Sequence, residues 1–385
     1  MVLLLLVVAL HPATASANAG TPLMWATMWH LVFGNLFIGL AEGWLLSWAF
    51  GTRRGASMLV MILANYLSAW LGVGILGNFR APDPLSLPSA VQWLCIMVGS
   101  TYVVTLALEW PFVAWMFRGR PQWFGKSIRA SLLVQTFSYV LLFAYYGSAG
   151  HLSLYTRTER VDAKAFTLPE QVMVYYISCD DGDIYRRPLS HGEPIKVMEL
   201  NSTSEQDHLF IRNNNERPAE WDLVARLEHS PTNPPEFVTV ASNIKSGVAP
   251  GLKARAAGAP LDGSIWDSVG EIDRLGDGAP SPWTFRTGYW PAAGLSGSNK
   301  ETGKRWRLAF ETPFISLAVR NAVQLPGDKV LFQLGWEEIY VLDPATLQLA
   351  LLWRGRSPVA TLGIVEGTSS TAVTGPASVN TASPR

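Results

Sequence analysis

Residues 24–54 read MWATMWHLVFGNLFIGLAEGWLLSWAFGTRR. From Met24 to Phe50 the only ionisable side chains are His30 and Glu42. A helix rises about 1.5 Å per residue and the hydrocarbon core of a bilayer is about 30 Å thick, so this run is long enough to span it. It stops at Arg53 and Arg54, two charges the core would not accept. Three more such runs follow, from Ser57 to Leu76, from Ala90 to Phe117 and from Ile128 to Ala149. Lipid offers no hydrogen-bond partners, so all four are predicted to be helices.

The composition fits that reading. Of 385 residues, 49% are apolar and only 16% charged, against about 25% charged in an ordinary soluble domain. Thirty basic residues balance thirty acidic ones, so no basic field for nucleic acid exists. The two cysteines, Cys95 and Cys179, make no disulfide framework.

Charge placement sets the direction of the spans. The first connection carries Arg53 and Arg54, and the third carries Arg118, Arg120, Lys126 and Arg129. The second has Arg80 beside Asp83. Positive connections stay in the cytoplasm, which places both termini outside. The N-terminus agrees: Val2 to Leu10 is apolar but too short to span, and Ala17-Asn18-Ala19 has the form of a signal-peptidase site. Residues 1–19 are therefore read as a cleaved signal, although no Lys or Arg precedes the apolar run; an uncleaved first helix is the alternative. The expected organisation is a signal peptide at 1–19, a four-helix membrane domain at 20–150, an extracytoplasmic β-rich domain at 151–366 and a disordered tail at 367–385. The expected location is a plasma (inner) membrane.

Ionisable residues inside spans are costly and face the bundle interior or a water-filled cavity. Glu42, Asn65, Glu109 and Gln135, one per span, fall at similar heights above the cytoplasmic charges and form a candidate polar layer. Asn35 is a further amide in the first span. Gly39, Gly43 and Ser47 form a small-residue stripe beside Glu42, of the kind that lets helices approach closely. Pro111 follows Glu109 and is expected to kink the third span. Two readings compete: Glu42 and Glu109 bind a cation or share a proton, or the carboxyls are held by the amides and lock the bundle. His30, near Trp25 and Trp29, is an outer-face candidate for a headgroup or a ligand.

After His151 the composition changes to short β-type runs. Val172 to Ile177 leads through Asp180-Asp181-Gly182-Asp183 into Ile184-Tyr185, a hairpin pattern. Further strands are expected at 208–212, 223–227, 237–241, 305–310, 315–319, 330–334, 339–342 and 347–353. Residues 242–262, rich in Gly, Ala and Pro, read as a loop. The Val174–Tyr185 and Val330–Asp343 segments share a strand, a tight turn and an Ile-Tyr pair; together they resemble the inner strands of β-propeller blades. A small propeller is the expected architecture, with an irregular β-sandwich or a meander as alternatives. The aromatic stretch from Phe285 to Trp290, with Trp283 and Trp306, is read as core before binding surface.

No metal-hydrolase, Cys-x-x-Cys, nucleophile-elbow or phosphate-loop motif is present. His151, His191, His208 and His229 lack ligand spacing, and Asp180, Asp181 and Asp183 read as a turn before a calcium loop. No cofactor is indicated, and no catalytic or metal residue is assigned. The leading functional expectation is a membrane anchor for an exported β-rich binding or scaffold domain. Its partners would be the lipid bilayer and another membrane or envelope protein, or a second copy of the chain. The alternatives are an ion- or proton-coupled transport component using Glu42 and Glu109, and an enzyme whose site is assembled from distant residues.

Overall fold

The computed structural model describes residues 21–76, 79, 81–82, 85–190, 192–213, 221–228, 235–244, 269–275 and 280–362. The signal segment, Arg80, Asp83, His191, His229, the loop from 245 onward and the tail lie outside the described residues.

Four long helices stand where the apolar runs predict them: α1 (Pro22–Phe50), α2 (Arg54–Leu76), α3 (Leu87–Phe117) and α4 (Trp123–Ala149). Local chemistry fixes their ends. Thr21 caps α1 by accepting from the Met24 amide at 3.1 Å, with Pro22 at the first helical position. Ser86 and Ser89 form a reciprocal capping box at the start of α3. Helices α3 and α4 begin earlier than their apolar runs, at Leu87 after the Ser86 capping box and at Trp123. Helix α1 widens into a π turn at His30–Gly34. Helix α3 runs through Pro111 as one continuous helix.

The outward faces of the helices are apolar. Trp48 is 74% exposed, Trp115 65%, Val103 and Val140 62% and Trp70 61%, far more contiguous apolar surface than water tolerates. All four helices are long and apolar enough to cross a membrane. The inward side of α1 is lined by glycine. A Cβ on Gly43 would sit 2.4 Å from the Met58 Cα, and one on Gly39 2.6 Å from the Ile62 Cα. Only glycine allows α1 and α2 to touch backbone to backbone there.

Beyond a short helix at Ser153–Thr156, the chain is mostly β. A six-stranded sheet runs in the order Glu159–Arg160, Gln348–Arg354, Glu338–Leu342, Val330–Leu334, Val319–Gln324, Asp273–Arg274. A four-stranded sheet orders Arg305–Leu308, Leu295–Asn299, Trp283–Thr287 and Gly270–Glu271. Another orders Arg356–Leu362, Val172–Ile177, Ile184–Pro188 and Ile195–Met198. The strands His208–Asn213, Trp221–Leu227 and Glu236–Ile244 form a three-stranded sheet, and Phe310–Glu311 pairs with Ser316–Leu317.

The predicted hairpin is present: Ile177 pairs with Ile184 and Tyr176 with Tyr185. Gly182 at its turn has φ 73°, and a Cβ there would lie 2.3 Å from the Ser202 carbonyl. The Val330–Leu334 and Glu338–Leu342 hairpin is present as well. The propeller is not. The sheets pack face to face in series, and among the described residues no closed ring or barrel forms. Blades would be uniform antiparallel units, whereas these sheets hold between two and six strands, two of them paired in parallel at the edges. The chain also leaves the six-stranded sheet at Gly355 to pair Arg356–Leu362 with Val172–Ile177. The blade-like pattern has a simpler cause. Strands buried on both faces, such as V-M-V-Y-Y-I and V-L-F-Q-L, are near-continuously apolar wherever sheets stack.

Two features hold this stack together. The first turns of α3 enter it: Leu87 and Ala90 share a core with Trp283, Phe285, Trp306, Phe310 and Phe332. At 31 residues α3 is about 46 Å long, more than a bilayer core needs, and the surplus is buried in the β region. The Leu87 amide donates to the Glu338 carboxylate at 3.3 Å. Farther out, His208 Nδ1 meets Ser357 Oγ at 2.8 Å, while the Ser357 amide donates to Gln333 Oε1 at 2.7 Å. This knot ties three sheets.

Burial, reinforced by the Arg226 and Arg320 guanidiniums, pushes the His208 imidazole down from 6.5 to about 4. The unfolded chain therefore takes up a proton first as pH falls below 6.5. His208 costs no stability above that value, and the loss grows between about 6.5 and 4, to an order of 3 kcal/mol. Thermal melts of the full chain across that window should show wild type losing more melting temperature than His208→Asn; parallel curves would contradict this.

Candidate functional site

The polar layer is a cross-clamp between all four helices. Glu42 of α1 is fully buried and Glu109 of α3 is 1% exposed. Asn65 Nδ2 of α2 donates to Glu42 Oε2, and Ser138 Oγ of α4 lies against Glu42 Oε1. Ser68 Oγ of α2 donates to Glu109 Oε1 at 2.6 Å, and Gln135 Nε2 of α4 donates to Glu109 Oε2. Each carboxyl thus receives one amide and one hydroxyl, one from α2 and one from α4. The two partners on each of these helices are three residues apart and so share a face.

The mixture of partner types has a chemical consequence. An amide N–H₂ only donates, but a hydroxyl donates or accepts. An ionised carboxylate takes a hydrogen bond from both partners. A protonated carboxyl, or the amide of a glutamine, takes one from Asn65 or Gln135 and gives one to Ser138 or Ser68. The serines have outlets for either state, with the Val134 carbonyl 3.0 Å from Ser138 Oγ and the Asn65 carbonyl 3.1 Å from Ser68 Oγ. The arrangement is satisfied in both charge states without rearrangement. Among the described residues neither carboxyl has an ion-pair partner.

All four residues of the predicted layer, Glu42, Asn65, Glu109 and Gln135, are therefore brought together. Asn35 is not: it is buried, but its amide bonds the Leu31 carbonyl of its own helix at 3.3 Å. His30 lies apart from the layer, at the π turn, where its Nδ1 meets the Tyr146 hydroxyl at 2.7 Å and links α1 to α4. A Cβ on Gly34 would meet the His30 ring at 2.9 Å, so the ring packs over that glycine. The Asp180–Asp183 turn behaves as a turn. Asp183 accepts from the Leu200 and Asn201 amides and from Lys196 at 2.5 Å. Together with the Tyr185 hydroxyl on Asp181, these donors hold both carboxyls below their usual range.

Ser68 and Ser138 escape a reading that looks for charges and amides alone. An internal repeat would have revealed them. Phe50 and Phe117 each stand eight positions after their glutamate. Ser57-x7-Asn65-x2-Ser68 matches Ser127-x7-Gln135-x2-Ser138, with a connection three residues longer in the second copy. The packing repeats too. The Phe50 and Phe117 rings meet edge to face at 5.7 Å, and Leu46 with Val113 and Ala64 with Val134 occupy matching positions in one core. The α1–α2 and α3–α4 hairpins are two versions of one unit, each giving its amide to its own carboxyl and its serine hydroxyl to the other's.

Compared with known proteins, the chain matches no family model, no curated protein sequence and no solved structure.

Because the clamp is two-fold, its halves should respond alike. Asn65→Leu leaves Glu42 one donor short, and Gln135→Leu does the same to Glu109. Each should cost about 1–3 kcal/mol, the usual penalty for a buried polar group left unsatisfied. The check is the melting temperature of the detergent-solubilised protein, and an unchanged value in either variant would show that the clamp does not hold the bundle.

Proposed function

We propose that the four helices cross a plasma membrane, with both termini on the extracytoplasmic side. There they hold the β region rigidly as a binding or scaffold domain for another envelope protein. The observation that supports this reading most is the shared core at one end of the bundle. With Leu87 and Ala90 inside the β region's own hydrophobic cluster, helices and sheets move as one. A tethered catalytic or binding module would need only a linker; a platform that must present a surface at a set height and angle needs such a joint. The positive connections Arg53-Arg54 and Arg118-Gly119-Arg120, at the opposite end, support the orientation.

In this reading Glu42 and Glu109 lock the bundle. Each oxygen takes a partner from a neighbouring helix, which specifies one arrangement of four otherwise greasy rods. A second reading has one observation in its favour: the pair has no basic counter-charge among the described residues. A buried anion is expensive unless paired, so the clamp is also chemically suited to carry a proton or a cation as part of a larger transport assembly.

Purification of the tagged full chain from its native cells in mild detergent, with mass spectrometry of what accompanies it, tests the first reading. It expects a stoichiometric partner that survives Glu42→Gln. A chain that purifies alone, together with loss of cellular function in Glu42→Gln at unchanged protein level, would replace it with the second.

A further inference from the structure

The four-stranded sheet that begins at Arg305–Leu308 carries a face that the proposed function does not use. In Arg305–Leu308 the burial alternates, with Trp306 and Leu308 inward and Arg305 and Arg307 outward. In Trp283–Thr287 Arg286 is likewise outward. The register sets Arg286 opposite Ser296 and Ser296 opposite Arg307. Strands lie about 4.8 Å apart, so two guanidinium stems flank a serine at about 10 Å across the row. Glu271 adjoins Arg286 on the far side. Among the described residues neither Arg286 nor Arg307 has an ion-pair partner.

This row is fixed close to the end of α4. The His151 amide donates to the Glu311 carbonyl at 2.8 Å and the Glu311 amide returns to His151 at 2.6 Å. The Ala309 amide donates to Ser153 Oγ at 3.0 Å, and the Leu154 amide to the Ala309 carbonyl at 3.0 Å. The strand bearing Arg307 therefore ends against the residues that follow Ala149. Burial holds the His151 imidazole below its ordinary value, and the Arg307 guanidinium adds to that effect.

An aromatic tip stands at the same end of the sheet. The connection from Thr287 to Leu295 carries Tyr289 and Trp290, whose rings meet at 5.0 Å and 81°, and Tyr289 is 39% exposed. At its base Gly294, with φ 52°, presses so close that a Cβ would lie 2.1 Å from the Leu308 carbonyl. Leu152 and Phe314, beside the His151–Glu311 bridge, are 39% and 40% exposed. Exposed aromatic and apolar side chains at a helix end, with arginines next to them, match the layering of a bilayer surface. Tyr and Trp settle at the interface, and Arg meets the phosphates.

We infer that the Arg286–Ser296–Arg307 row and the Tyr289–Trp290 tip form a lipid-binding surface. The tip dips into the interface of the adjacent leaflet, and the two arginines grip the phosphate of an anionic phospholipid. This rests on the reading that the helices span the bilayer. The joint to the residues that follow Ala149 keeps these arginines and Tyr289 beside the end of an apolar helix, and their charge complements an anionic interface, so the bilayer is the occupant. Its effect is to brace the β region on the membrane as well as on α3.

The test uses the full chain in vesicles of phosphatidylcholine containing spin-labelled phosphatidylglycerol or, separately, spin-labelled phosphatidylcholine. A bimane label is attached through Tyr289→Cys in a Cys95→Ala/Cys179→Ala background. Quenching several-fold stronger by phosphatidylglycerol is expected, because each basic residue near a membrane surface adds attraction for anionic lipid. Arg286→Gln/Arg307→Gln should remove that preference while leaving quenching by phosphatidylcholine. No quenching at position 289, or a preference that survives the double substitution, overturns the inference. A second label at Trp70→Cys on the exposed face of α2 separates the two failures. If it too is unquenched, the spanning reading itself is wrong; if it is quenched while position 289 is silent, only the lipid surface is.

Discussion

A carboxyl group sunk between apolar helices has to be answered from within the bundle, and this constraint organises the molecule. Glu42 and Glu109 are answered by Asn65, Ser68, Gln135 and Ser138, two donors for each carboxyl and two for each donating helix. Apolar packing alone is non-directional and would let α1–α4 slide or rotate. Four directed bonds at one level remove those freedoms. The glycines at positions 39 and 43 contribute the close approach of α1 to α2, without which the Asn65 side chain would not reach Glu42.

From that fixed bundle the β region is built outward. The surplus turns of α3 and the His151–Glu311 bridge form two joints at the same end, one through a core and one through backbone. The sheets then stack in series, each sharing a hydrophobic cluster with the next. Among the described residues the two-fold repeat of the bundle does not extend into this region, whose sheets differ in size and strand order.

Much of this was legible in the sequence for physical reasons. Apolar length and charged connections mark helices directly, because lipid penalises any other arrangement. The layer of Glu42, Asn65, Glu109 and Gln135 was visible because each is out of place in a greasy run. Ser68 and Ser138 were not, since serine is common in helix interfaces and carries no cost that flags it; only the repeat exposes them. The hairpins at 172–188 and 330–342 were readable from β-branched runs and turn residues. Their arrangement was not, because a strand buried on both faces looks the same in a blade and in a stack. Strands such as Leu295–Asn299 and Ile195–Met198 were missed: the first is rich in Ser, Gly and Asn, and the second is short, with no fully buried residue. In both, tertiary pairing overrides weak local preference.

The claim that carries the account is that the carboxyl pair locks the bundle by hydrogen bonding and does not act through its charge. The most direct measurement is on Glu42→Gln/Glu109→Gln in native cells, comparing melting temperature and cellular function with wild type. Glutamine keeps an acceptor for Asn65 or Gln135 and offers a donor to the serines, so both properties should be retained. A double variant that melts like wild type but has lost function would contradict the account and make the charge itself the working part.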